Sequence, residues 1–133
     1  MELRLGPLLR YVDDTRATVW VETSEPCEVE VLGHQARTWS VHGHHYALIR
    51  VDGLTPASET PYEVRLDGAR VWPPEDQPYG ASVIRTPRAD GTFRLTFGSC
   101  RRSAPFDAKG FKEFGPDALV ALAERMAAGV EEP

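Results

Sequence analysis

Between Leu3 and Thr86 apolar and polar residues alternate in short runs, and Gly, Pro and Asp-Gly signals interrupt them every 8 to 12 residues or so. A period of two sends successive side chains to opposite faces of an extended chain, so each run predicts a strand with one buried face. Ala17, Val19 and Val21 form one inward set, set against Arg16, Thr18, Trp20 and Glu22. Cys27, Val29 and Val31 form a second, Ala47, Ile49 and Val51 a third, and Tyr62, Val64 and Leu66 a fourth. Asp67-Gly68 separates that last set from Ala69-Arg70-Val71-Trp72 and predicts a two-residue hairpin turn. The stretch from Pro73 to Gly80 holds three prolines, which remove ladder donors, and predicts an exposed loop. A final strand over residues 81–86 completes the set. Many short strands at regular spacing predict an all-β sandwich over residues 1–88.

The pattern changes at Pro87 to Gly91, a polar stretch with no inward set, which predicts a domain boundary. Phe93, Leu95 and Phe97 alternate with Arg94 and Thr96, giving one more strand that runs into Gly98-Ser99-Cys100. Arg101 to Gly115 reads as irregular. Pro116 suits the first turn of a helix, Asp117 complements its dipole, and Leu119, Leu122 and Met126 recur at helical spacing before Gly129. One strand and one short helix bury little by themselves, so residues 89–133 are expected to be a linker and the opening of a second domain.

Composition narrows the classes further. The 133 residues carry 41% hydrophobic and 26% charged side chains, the balance of a chain able to bury a core. A net charge of -5 without a basic stripe argues against nucleic acid as a partner. No apolar stretch approaches the roughly 20 residues that span a bilayer, so no membrane partner is expected. Met1 to Pro7 has no leader-like character, and Cys27 and Cys100 are too few for a disulfide framework; a cytoplasmic location is expected. The absence of Asn removes any glycosylation sequon.

Few residues carry candidate chemistry. Cys100 precedes Arg101 and Arg102, whose charge favours a thiolate, the nucleophilic and metal-binding form. A phosphocysteine mechanism wants a phosphate-binding arginine where this sequence has Phe106. Metal ligation needs three or more donors, and an inert thiol is the third alternative. His42-Gly43-His44-His45 could share an ion but reads as a polar hairpin tip. Asp13-Asp14 reads as a turn rather than a catalytic pair, and Cys27 as core. Trp20, Trp39 and Trp72 could form an aromatic ligand platform on an outward face, or serve core and interface packing. There is no Gly-rich phosphate loop, Gly-x-Ser-x-Gly elbow or His-Glu-x-x-His motif, so no complete active site is legible.

Two features resemble known families. Leu54-Thr55-Pro56 followed by Tyr62-Glu63-Val64-Arg65-Leu66 resembles the fibronectin type III pattern of a Thr/Pro turn before a strand with a corner tyrosine, which implies a fibronectin III/immunoglobulin-like sandwich. Phe93 to Arg102, with Gly115-Pro116-Asp117-Ala118-Leu119 downstream, resembles the opening of the catalytic domain of alkaline phosphatase D (PhoD-like) metallophosphoesterases, which place a fibronectin-like domain before it. That resemblance implies that Cys100 is a metal ligand in the full-length parent, a hydrolase of phosphoric esters using iron and calcium. It implies that residues 89–133 open a truncated metallophosphoesterase domain. The present chain is then a non-catalytic accessory piece without cofactor of its own, and its partner is the catalytic domain in cis. The alternative is a free-standing fibronectin-like module binding carbohydrate or protein.

Overall fold

The computed structural model describes residues 1–75, 80–88, 90, 97, 107–115 and 117–128. The chain divides into two compact units, Met1–Gly91 and Thr92–Pro133. Among the described residues the first unit holds ten strands: β1 Leu3–Val12, β2 Ala17–Thr23, β3 Glu28–Val31, β4 His34–Arg37, β5 Trp39–Val41, β6 His44–Val51, β7 Glu59–Pro61, β8 Val64–Leu66, β9 Ala69–Trp72 and β10 Val83–Arg85. One sheet has the order β1-β2-β6-β5 and the other β4-β3-β8-β9, while β7 and β10 pair as a separate ribbon. Every pairing is antiparallel. The chain passes from one four-stranded sheet to the other after β2 and after β4, and again after β6 by way of β7, which makes a fibronectin III/immunoglobulin-like β-sandwich.

The core lies between the two sheets, and the alternating inward sets supply it. Ala17, Val19, Val21, Val29, Val31, Ala47, Ile49, Val51, Val64 and Leu66 are all buried, joined by Cys27, Leu54, Tyr62 and Ile84. Full burial of each larger aliphatic contributes about 1.5–3 kcal/mol. Asp67 and Gly68 both take positive φ, as the tight turn between β8 and β9 requires, and His42-Gly43 does the same between β5 and β6. Asp67 also ties the turn to β3, because its Oδ1 accepts from the Glu28 backbone N–H at 2.9 Å.

The structure departs from the alternation pattern at identifiable places. Tyr62, Val64 and Leu66 share the buried face but not one strand. β7 pairs with β10 and β8 with β3, so the chain changes partner at Tyr62-Glu63 while Tyr62 still points inward. Burial raises the Tyr62 phenol above its ordinary pKa. The Thr/Pro turn at Leu54-Thr55-Pro56 is latched by Thr86, whose Oγ1 donates to the Thr55 carbonyl at 2.7 Å and accepts from the Ser58 N–H at 2.9 Å. β1 is broken by three register shifts, between Leu3 and Leu5, between Leu5 and Leu8, and between Leu9 and Tyr11.

In the second unit, the stretch read as irregular contains α1, Ala108–Phe114, seven residues long. Local capping builds it: Asp107 Oδ1 accepts from the Gly110 N–H at 2.7 Å, and the Gly115 N–H donates to the Phe111 carbonyl. The helix α2 spans Ala118–Ala127, with Asp117 as its N-cap accepting from the Leu119 N–H at 3.0 Å. Leu119 and Met126 are exposed. The strand read at residues 93–97, apart from Phe97, lies outside the described residues, as do Cys100, Pro116 and Gly129. No described helix is long and apolar enough to cross a membrane.

Candidate functional site

The residues opposite the core on the β1-β2-β6-β5 sheet form the most distinctive surface. Directly paired residues of an antiparallel sheet share a face, with side chains about 4.5–5.5 Å apart. One row across this face is Leu5, Glu22, Tyr46 and Trp39; the next is Leu8, Trp20 and Leu48. Leu5, Leu8, Trp39 and Leu48 are exposed, so the face is apolar yet open to solvent.

Tyr46 is the centre of an aromatic cluster on this face. Trp20 stacks on it with ring centroids 5.6 Å apart, Trp39 meets it tilted at 6.0 Å, and His44 lies parallel to it at 6.1 Å. Trp39 keeps 47% of its surface exposed. Glu22 sits between Leu5 and Tyr46 with its side chain only 8% exposed. A buried carboxylate needs a partner, and His44 Nδ1 provides one at 2.7 Å from Oε1. Since a carboxylate only accepts, Nδ1 carries the proton of this bond.

Trp72 does not join this cluster. It lies on β9 in the other sheet, packs against the core, and donates its indole N–H to Ser82 Oγ at 2.8 Å. Two of the three tryptophans therefore share a face. The site also contains Tyr46 and Glu22, which composition and motif do not single out, and His44, which the sequence placed in a polar hairpin tip and the structure sets against Glu22. The signal for Tyr46 and Leu48 was present: they occupy the alternate positions to Ala47, Ile49 and Val51.

The other candidates resolve into structural roles. His44 and His45 point to opposite faces of β6, His44 to Glu22 and His45 to Ser40 Oγ, 2.7 Å from its Nδ1. Among the described residues no group of three or more His, Cys, Asp or Glu side chains is arranged to hold a metal ion. Cys27 is buried beside the core, which pushes its thiol up from the ordinary pKa. Asp13 organises the β1–β2 turn: its Oδ1 accepts from the Thr15 and Arg16 N–H groups, and its Oδ2 from Tyr11 and Arg16 side chains. The Thr15 N–H, followed by the other donors, holds the Asp13 carboxyl well below the usual carboxylate range. A shallow cleft of about 220 Å³ lies beside this turn, lined by Tyr11, Arg16, Ala17, Thr18 and Arg50. Its arginines are each tied to a carboxylate, Arg16 to Asp13 and Arg50 to Asp52.

Fold and surface together define a β-sandwich module with one aromatic outer face. Residues 1–84 match a family described as a domain of unknown function, DUF7800, and the chain belongs to that family. No curated protein and no solved structure matches the chain.

Proposed function

We propose that the sandwich is the non-catalytic accessory domain of a PhoD-like metal-dependent phosphatase or phosphodiesterase, placed before the catalytic domain and able to shape access to it. The run Phe93 to Arg102, directly after the sandwich, carries this proposal. The sandwich itself supports a scaffolding role, because its polar groups serve turns and latches: Asp13 in the β1–β2 turn, Asp67 against β3, and Thr86 over the Thr55 turn. The iron and calcium implied for the parent require several donors each. The described residues bring no such group together, so they do not fit those ions, and no catalytic step is derived for them. Cys100 is the position this proposal assigns to the parent's metal. The test is a full-length enzyme with and without residues 1–86, assayed on phosphomonoesters and phosphodiesters. Loss of solubility and turnover on deletion is expected, and undiminished turnover would remove the accessory role.

A second proposal is favoured by one observation, the meeting of Trp20 and Trp39 around Tyr46 on an open face. In it the sandwich is a binding module for carbohydrate or protein. Titration with oligosaccharides or peptides, followed by tryptophan fluorescence, tests it: a saturable shift lost in Trp39→Ala is expected, and a flat response to both ligand classes overturns it.

A further inference from the structure

The face centred on Tyr46 has a charge pattern that selects among partners. In the two rows through Glu22 and Trp20, namely Leu5, Glu22, Tyr46, Trp39 and Leu8, Trp20, Leu48, Glu22 is the one residue with a formal charge. That charge is negative and sunk among rings, with its side chain 8% exposed. The faces of Trp and Tyr rings are also electronegative and attract cations within about 6 Å. Carboxylate and rings therefore favour the same kind of guest. We infer that this face docks a protein partner through an arginine side chain set among apolar residues, its guanidinium lying on the aromatic cluster with Glu22 as counter-charge.

Arginine fits better than lysine for two reasons. Its guanidinium is planar and stacks on aromatic faces, and it is less strongly hydrated, so it leaves water more easily. The apolar residues flanking it would cover Leu5, Leu8 and Leu48, which are exposed around the cluster. His44 occupies Oε1 of Glu22 but is itself half exposed, and a carboxylate has room for further donors on its second oxygen. A neutral glycan would use the ring faces but bring no positive charge to the carboxylate. Pairing along the edge of β1 is disfavoured by its register shifts, which interrupt the regular row of donors and acceptors.

This inference rests on the binding-module proposal and names its partner. The test titrates the protein with three probes: a short blocked peptide carrying one arginine between two leucines, the same peptide with neutral citrulline, and a neutral oligosaccharide. Indole fluorescence and indole N–H chemical shifts report binding. The arginine peptide is expected to saturate and to bind at least tenfold more tightly than the citrulline peptide. Glu22→Gln and Trp39→Ala should each cost about tenfold, and Trp72→Phe should not. Should Glu22→Gln unfold, the arginine-to-citrulline ratio on the unaltered protein still decides. Equal binding of the two peptides, or saturation by the oligosaccharide alone, overturns the arginine inference and leaves the module. Silence with all three overturns both.

Discussion

Replacing Gly6 with alanine is the sharpest test of how β1 seats on the outer face. Gly6 has φ +92, a conformation that an L side chain adopts only at a cost, and a Cβ there would lie 2.7 Å from the Trp20 carbonyl oxygen. The conformational part costs about 1–2 kcal/mol. The obstructing atom is backbone of the central strand β2, so relief requires β1 to move, and overpacking of that kind costs about 1–3 kcal/mol more. Gly53→Ala is the control, because Gly53 also has positive φ, at +77, but open space where the Cβ would stand. Urea unfolding followed by far-UV circular dichroism gives both stabilities. Gly6→Ala should lose clearly more than Gly53→Ala, by at least about 1 kcal/mol. Equal losses would show that β1 does not press on β2 at Trp20, and the geometry of the Leu5 and Leu8 rows would have to be redrawn.

Thr86→Val keeps the shape of a buried residue but leaves the Ser58 N–H without its acceptor, while the Thr55 carbonyl keeps only the Ser58 hydroxyl as donor, so a loss of about 1–3 kcal/mol in thermal or denaturant unfolding is expected. In a Cys100→Ser background, Cys27 should react with a thiol reagent at neutral pH only when denaturant is added, since burial disfavours its thiolate; rapid native reaction would contradict the core placement. Asp13 has a depressed pKa in the folded state, so its stabilising contribution is present above its unfolded value of about 3.9 and is lost as the pH falls below it. Asp13→Asn should therefore be less stable than the unaltered protein at pH 7 and show a weaker loss on acidification toward pH 2; parallel pH profiles would refute the assignment.

The sandwich was legible in the sequence because alternation is a local property. The buried set of Val19, Val21, Val29, Val31, Ile49, Val51, Val64 and Leu66 follows from the chain's own period of two. Asp67-Gly68 announced its hairpin for the same reason, since a turn's φ values depend on the two residues in it. α1 escaped because its stop and start lie in single caps, Asp107 and Gly115, rather than in an apolar period.

Which residues meet across the sheet was settled by pairing. Glu22 and His44 are far apart along the chain and touch only because β2 and β6 pair in the register that sets Glu22 opposite Tyr46. Trp20 and Trp39 come to one ring for the same reason, while Trp72, equally prominent in the sequence, was carried by β9 to the other sheet. Periodicity tells each strand which side to bury, but it does not carry register, and a shift of one residue would turn Trp20 and Glu22 to the core face of the sheet.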